Sequence, residues 1–480
     1  MSRVLVLSLY ELGQQPLGCA IPTALLRAEG HHVRQHDLSV EDWSEDDFDW
    51  AEAVVCSVPM HTALRLGLET FDRARATRPE LPFAFHGLYA PVAAQTGVLG
   101  EHDLAAAGDV EGRLIEWVAA HERGEGSGGV HVELSRRPHA VVTQVVLPQR
   151  ADLPGLDRYA RLLRGGEELL VGGVESTQGC NHRCRHCPVP TVYNGRSRVI
   201  EAERVLADID QLVESGARHI HFADPDFLNR PRHALALARL LKERHPGASF
   251  DATIKVSHIL RYEDLFEELA DCGLCFVVSA FESTSDTVLA ALDKGHVAAD
   301  EARAVQILRK VGIEVRPSLL PFTPWTTRND LVELLDFVAR HDLIWNVDPV
   351  QYGIRLLLPP GSLLLGLEDP VLHEAIVGYD KAELGYDWQA SDATLDELAR
   401  ELALLTESLS SGDVDPDESY RQVRATVFSR LGLFDHGAPV AEQRGIAGPL
   451  RPRLSEAWFC CAEPTRAQYH QLGAETCGDC

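Results

Sequence analysis

Twice along this chain, short apolar runs alternate with amphipathic stretches at the spacing of strand–helix units. That rhythm restricts the chain to parallel α/β architecture, because parallel strands need a crossover between them. In the first series residues 4–9 are apolar, 20–28 helical, 33–37 extended and 53–56 apolar; a helical stretch, 64–75, and an extended one, 81–85, follow. The pattern predicts a doubly wound, Rossmann-like sheet whose ligand edge lies at the C-terminal ends of the strands, here 10–18, 57–62 and 86–89. A glycine-rich stretch at 124–129 reads as a boundary, giving a domain over 1–123 and a linker over 124–170.

The second series occupies 171–365. Val205, Leu206, Ile209, Leu212 and Val213 form one helical face closed by Gly216, and 219–223 then runs extended. Segments 234–241, 254–256, 265–270, 276–280, 313–320, 331–338 and 347–353 complete about six units, as expected of a partial (β/α)6 TIM-like barrel with its reactive residues at strand C-terminal ends. Residues 366–480 read as a mostly helical region ending in a Cys-rich tail with Cys460, Cys461, Cys477 and Cys480.

Composition removes several classes of partner. A formal charge of −27 repels a phosphate backbone, so nucleic acid is not expected. No apolar stretch approaches the length that spans a membrane, and the first ten residues read as a strand rather than a signal peptide. Eleven cysteines in such a chain point to a reducing, cytoplasmic setting where thiols serve metals or redox chemistry.

Three of those thiols carry the strongest signal. Gly179-Cys180-Asn181-His182-Arg183-Cys184-Arg185-His186-Cys187-Pro188 follows the first barrel strand and sets Cys180, Cys184 and Cys187 on one loop. Three thiolates holding a 4Fe-4S cluster leave one iron open to a chelating small molecule. The same spacing would also suit a zinc knuckle completed by His182 or His186, or buried thiols. The setting between a strand and a helix at the start of a barrel favours the cluster. Cys272 and Cys275 straddle a helix end and a strand start, so they read as buried apolar residues.

This loop, with the approach Asp152-Leu153-Pro154-Gly155-Leu156-Asp157-Arg158-Tyr159 and the preceding Glu175-Ser176-Thr177-Gln178-Gly179, resembles the radical S-adenosylmethionine (SAM) superfamily. The likeness is greatest to the branch with an N-terminal cobalamin-binding-like domain. His186 departs from the aromatic usual before the third cysteine. The resemblance implies a 4Fe-4S cluster on Cys180, Cys184 and Cys187, SAM chelated to the open iron, and reductive cleavage to a 5′-deoxyadenosyl radical. It further implies a small-molecule or peptide substrate and an electron donor such as flavodoxin or ferredoxin. SAM contacts fall by resemblance on Asp224, after the second strand, and on Glu282 and Ser283, after the fourth. Ser318 and Arg355, with Arg316, would line the SAM or substrate pocket. Plainer roles stand beside these: a loop turn for Asp224, a helix-start carboxylate for Glu282, an ion pair for either arginine.

In the N-terminal domain the resemblance places a corrin across the strand edge, against Ser57, His61, Thr62 and Gly87. The Asp-x-His-x-x-Gly element that supplies a cobalt ligand elsewhere is absent, as in many members of the branch, which leaves cobalamin binding open beside a purely structural domain. The tail Cys460-Cys461-Ala462-Glu463-Pro464 resembles a set named for its Cys-Cys-Ala-Glu-Pro or Cys-selenocysteine-Ala-Glu-Pro ending, with Cys461 in the selenocysteine place. That implies a catalytic redox or covalent role for Cys461 and Cys460, with Cys477 and Cys480 as a resolving pair; an auxiliary metal site and a frayed end are the alternatives. The expected function is a radical SAM enzyme. A cobalamin-dependent methyltransferase is its nearest variant, and a non-catalytic iron–sulfur or corrinoid sensor is the alternative of another class.

Overall fold

The computed structural model describes residues 1–126, 129–133, 141–142, 146–411, 414–442 and 445–456. Cys460, Cys461, Cys477 and Cys480 lie outside them.

Strands β1 (Arg3–Ser8), β2 (His32–Asp37), β3 (Ala53–Ser57), β4 (Phe83–His86), β5 (Leu104–Gly108) and β6 (Gly129–Glu133) form one parallel sheet in the order β2-β1-β3-β4-β5-β6. Successive side chains of a strand face opposite sides, and the two cores follow that period. Leu5, Leu7, Val54, Cys56, Phe83 and Phe85 pack on one face, and Val4, Val6, Val55 and Ala84 on the other. Burial on both faces is why these strands read as unbroken apolar runs. β6 lies within the stretch read as linker and extends the sheet, with Leu104 of β5 opposite Gly129. The order of strands reverses between β1 and β3, which opens a crevice beyond their C-terminal ends.

The second sheet contains parallel strands β8 (Glu167–Val174), β9 (His219–Phe222), β10 (Ser249–Thr253), β11 (Leu274–Glu282) and β12 (Glu314–Leu319), ordered β12-β11-β10-β9-β8. β7 (Arg161–Arg164) pairs antiparallel with β8, and β13 (Arg453–Leu454) with β7. The result is the expected nearly closed barrel, with two local differences. The third strand ends at Thr253, and 254–256 turn into the helix Val256–Arg261 instead. Asp251 hides this strand from a hydropathy reading; it is fully buried and satisfied at 2.8 Å by both His219 and His221 of β9. Residues 347–353 hold a 3-10 turn, Pro349–Tyr352, in place of a sixth strand, and a single parallel bridge joins Phe322 to Arg355. Pro349 has no N–H to give a ladder.

The helices Ala393–Ser411 and Pro416–Leu431 bury Leu395, Leu398, Leu402, Val423 and Val427 in the barrel's own core. Arg150 ties the two sheets together: its guanidinium meets both oxygens of Asp208 (2.6 and 2.7 Å), the Gly173 carbonyl (2.7 Å) and Gln15 Oε1 (3.0 Å). Among the described residues no helix is long and apolar enough to cross a membrane.

Candidate active site

The C-terminal edges of the two sheets face each other across a cavity of about 620 Å³. Loops after β1, β3, β4 and β5 form one wall, through Glu11, Ser57, His86, Gly87 and Glu111. The barrel mouth forms the other, and it carries Cys180, Cys184 and Cys187.

Local geometry sets the three thiols together. After β8 the chain forms a short strand, Thr177–Gly179, paired antiparallel with Ser197–Ile200, and turns at Gly179 with φ +78°. A Cβ there would lie 2.5 Å from the Arg196 carbonyl oxygen, so only glycine fits the turn. Cys180 and Cys184 are buried and Cys187 half-buried. Lys255 Nζ stands 3.3 Å from Cys184 Sγ, and the buried Lys294 ammonium feels both Cys184 and Cys187. Burial first, and then Asp226, push the Cys180 thiol up to about 11, so a thiolate at this place needs a cation against it. Three soft donors on one loop beside two lysines suit a polynuclear iron–sulfur group, and their donor set is complete without a fourth side chain.

Glu282 ends β11 at a register shift, with φ +66°, a conformation costly for a side chain of this kind. Burial alone would raise its carboxyl; Lys294 Nζ at 3.0 Å and His186 Nε2 at 3.2 Å outweigh that and hold it well below the usual glutamate range. Asp224 also lines the cavity, but its oxygens already accept from Ser176 N (3.1 Å), Ser176 Oγ (3.0 Å) and Thr177 Oγ1. Burial pushes Asp224 up to about 6 despite these donors. It pins the strand that presents Cys180.

Of the other residues singled out in the sequence, Ser318, Ser57 and Gly87 line the cavity. Ser57 Oγ donates to Glu11 (3.1 Å). Gly87, at φ +114°, brings its backbone against Val58, whose carbonyl oxygen would sit 2.9 Å from an added Cβ. Four residues are placed elsewhere. His61 and Thr62 are buried at the start of the helix His61–Thr77, where His61 Nε2 meets the Glu383 carbonyl at 3.0 Å. Ser283 Oγ accepts from Ser285 N (3.2 Å), the bond of a helix start. Arg355 turns outward, stacks on Trp388 at 3.7 Å and pairs with Asp396 (3.1 Å) and Asp387 (3.4 Å). Its charge is thus taken up by the C-terminal region.

Sequence reasoning did not single out Glu11, Glu175 or Lys255, and it took Gln351 only as the start of the segment 351–355 expected to line the pocket. Burial, then Asp37, push Glu11 up to about 7; burial, then Asp224, push Glu175 up to about 8. Gln351 Oε1 accepts from Leu319 N (2.7 Å), while its buried Nε2 has no partner among the described residues and belongs to the cavity lining. Gln351 sits four residues before Arg355 in the same segment, and Lys255 would have stood out had the third strand been placed to end at Thr253.

A barrel whose mouth carries three thiols on one loop, facing the C-terminal edge of a doubly wound sheet across one cavity, has the layout of an enzyme that works on a ligand between the two. Residues 174–338 match the family model described as the Radical SAM superfamily. The chain therefore carries a radical SAM domain, whose cofactors are a 4Fe-4S cluster and SAM. In sequence it is similar to hopanoid C-2 methylase of Rhodopseudomonas palustris (24% identical, 62% of this chain and 55% of the relative). It is also similar to hopanoid C-3 methylase of Methylococcus capsulatus (23%, 65% and 62%). The matches thus span little more than half of those relatives' lengths. In fold it is similar to the cobalamin-dependent SAM radical enzyme OxsB with aqua-cobalamin bound, at TM-score 0.66 and 15% identity, over 90% of this chain and 71% of that one. TsrM of Kitasatospora setae, a radical SAM methyltransferase with cobalamin and a [4Fe-4S] cluster bound, gives TM-score 0.63 and 17% identity over 90% of this chain and all of that one.

Proposed function

We propose that this chain is a cobalamin-dependent radical SAM methyltransferase acting on a small molecule or peptide. The observation that carries the reading is the shared cavity: the ligand edge of the first sheet opens onto the same space as Cys180, Cys184 and Cys187. When bound, the cluster supplies an electron for SAM cleavage and the corrin a carrier for a methyl group. Cys180, Cys184 and Cys187 hold the cluster, with Lys255 and Lys294 balancing thiolate charge. Glu282, Ser318 and the free amide of Gln351 orient SAM at the barrel mouth. Ser57 and Gly87 shape the opposite wall, where the positive φ and missing Cβ of Gly87 let that loop pack against the Val58 backbone. The similarity to hopanoid methylases, OxsB and TsrM supports methyl transfer over simple radical generation.

The tail thiols enter the same proposal. Glu456 lines the cavity and bonds Tyr10 (3.1 Å), and Cys460 follows four residues later, so at most about 14 Å of chain separates them. A redox or covalent role for Cys461 and Cys460 at this cavity is consistent with that short tether; the resemblance to the Cys-Cys-Ala-Glu-Pro set rests on residues 460–464 alone.

The test is anaerobic reconstitution with iron and sulfide, then SAM and a reductant with and without cobalamin, and mass spectrometry of the products. The expected result is cobalamin-dependent S-adenosylhomocysteine, lost in Cys184→Ala. Deoxyadenosine formed equally with and without cobalamin would overturn the methyltransferase reading, and unchanged product in Cys461→Ser would remove the tail from it.

A further inference from the structure

Beside the cysteine loop lies a second set of donors that the proposed chemistry does not use. His182 comes from that loop, Asp226 from the loop after β9, and His258 from the helix after β10. Their ligand atoms all lie within 4.8 Å of one another. His258 Nδ1 is 2.8 Å and His182 Nε2 3.3 Å from the same carboxylate oxygen, Asp226 Oδ2. Both distances would admit a hydrogen bond, yet all three atoms are buried and make none among the described residues. Two ring nitrogens and one carboxylate oxygen thus crowd one spot with no well-aligned hydrogen bond among them.

Such crowding is costly without a cation at its focus. Donors bound to one ion at about 2.1 Å stand roughly 3.0 Å apart at right angles and roughly 3.4 Å apart in a tetrahedron; the 3.3 Å separation falls inside this range and the 2.8 Å separation just below it. The supporting contacts are those of a ligand set. Asp226 Oδ1 accepts from Leu228 N (3.1 Å), which fixes the carboxylate and directs Oδ2 toward the histidines. Asp226 and His258 are 1% and 8% exposed, whereas His182 and Asp226 border the cavity, so the focus is walled on one side and open on the other.

The geometry points to a mononuclear site for a divalent transition metal of the zinc or ferrous class, held by His182 Nε2, Asp226 Oδ2 and His258 Nδ1, separate from the thiolate cluster. Two imidazoles and one carboxylate are borderline ligands suited to that class, and three protein ligands leave a coordination position facing the cavity for water or substrate. The metal also fastens the cysteine loop to the loops after the second and third barrel strands, since one ligand comes from each.

The test uses the cluster-loaded enzyme dialysed against limiting Zn2+ and then freed of loose metal. Iron and zinc are counted per chain, and X-ray absorption is recorded at the zinc edge. The expected wild type holds about one zinc beyond its cluster iron, with nitrogen and oxygen neighbours and no sulfur. His258→Ala and Asp226→Asn are expected to lower zinc at least tenfold while the iron count stays unchanged. The wild-type spectrum requires no variant to fold. Absence of zinc, sulfur neighbours that point to the tail cysteines, or full zinc in both variants would each overturn the site.

Discussion

Glu282 and Lys294 give a direct measure of how the barrel mouth balances its charges. Their side chains are 10% and 3% exposed and meet at 3.0 Å. At the effective dielectric that suits buried protein pairs, two unit charges at that distance attract by roughly 5 kcal/mol, against which desolvation of both must be set. Glu282→Gln leaves the desolvation of Lys294 in place and removes its partner, so the cluster-free chain should lose about 3–5 kcal/mol. Lys294→Met in that background removes the stranded charge and should restore much of the loss, giving a coupling of about 2–4 kcal/mol in the double-mutant cycle. The depressed carboxyl of Glu282 contributes stability above the ordinary glutamate range, and that contribution fades as pH falls toward its own lowered value; the cycle should therefore shrink in acid. Thiolate charge from Cys184 and Cys187 also reaches Lys294, so with the cluster bound Glu282→Gln should cost less than without it. Urea unfolding of the four proteins under reducing, oxygen-free conditions measures each term. A coupling below about 0.5 kcal/mol, or a neutral Glu282→Gln, would refute the claim that this pair holds the mouth together.

Asp208→Asn strands the Arg150 guanidinium between the two sheets and should cost about 3–5 kcal/mol in urea unfolding; a loss under about 1 kcal/mol would contradict its role as the tie between them. Glu175, pushed up to about 8, favours its protonated form in the folded chain, so its contribution is full below about 4.5 and is lost as pH rises to about 8. Glu175→Gln should flatten the fall in melting temperature across that window, and an unchanged slope would count against the buried-acid reading. Arg355→Ala should lower stability by about 1–2 kcal/mol through its lost stacking and ion pairs while SAM affinity stays within about twofold, which calorimetry of SAM binding can check.

What the sequence makes legible follows from which signals are local. The cysteine loop and both strand–helix series are written in adjacent residues, and most of their elements fall where the periodicity puts them. Asp251 breaks the apolar pattern of its strand, and its compensation by His219 and His221 is a contact across 30 residues or more that no window detects. Pro349 did carry a local warning against a sixth strand. Arg355 and Gln351 occupy one segment, and which of them faces the cavity depends on Asp387, Trp388 and Asp396, from a part of the chain with no recognisable motif. The donor set of His182, Asp226 and His258 is invisible in sequence for the same reason: two separate loops and a helix deliver it.

The two walls of the cavity solve opposite electrostatic problems. On the barrel side the thiolates must be negative to hold metal, and Lys255 and Lys294 stand beside them. Opposite and between the walls, burial and then neighbouring acids (Asp37 for Glu11, Asp224 for Glu175) push both carboxyls up, so that near pH 7 Glu175 is mostly protonated and Glu11 about half so. In a chain of net charge −27, protonating these carboxyls lowers the negative charge held in the cavity lining. It follows that replacing both by glutamine should be tolerated at neutral pH and should extend function to higher pH, where the native acids ionise. Replacing either by lysine would put a buried cation in place of a group that is neutral or half-charged near pH 7, and should weaken SAM binding measured by calorimetry.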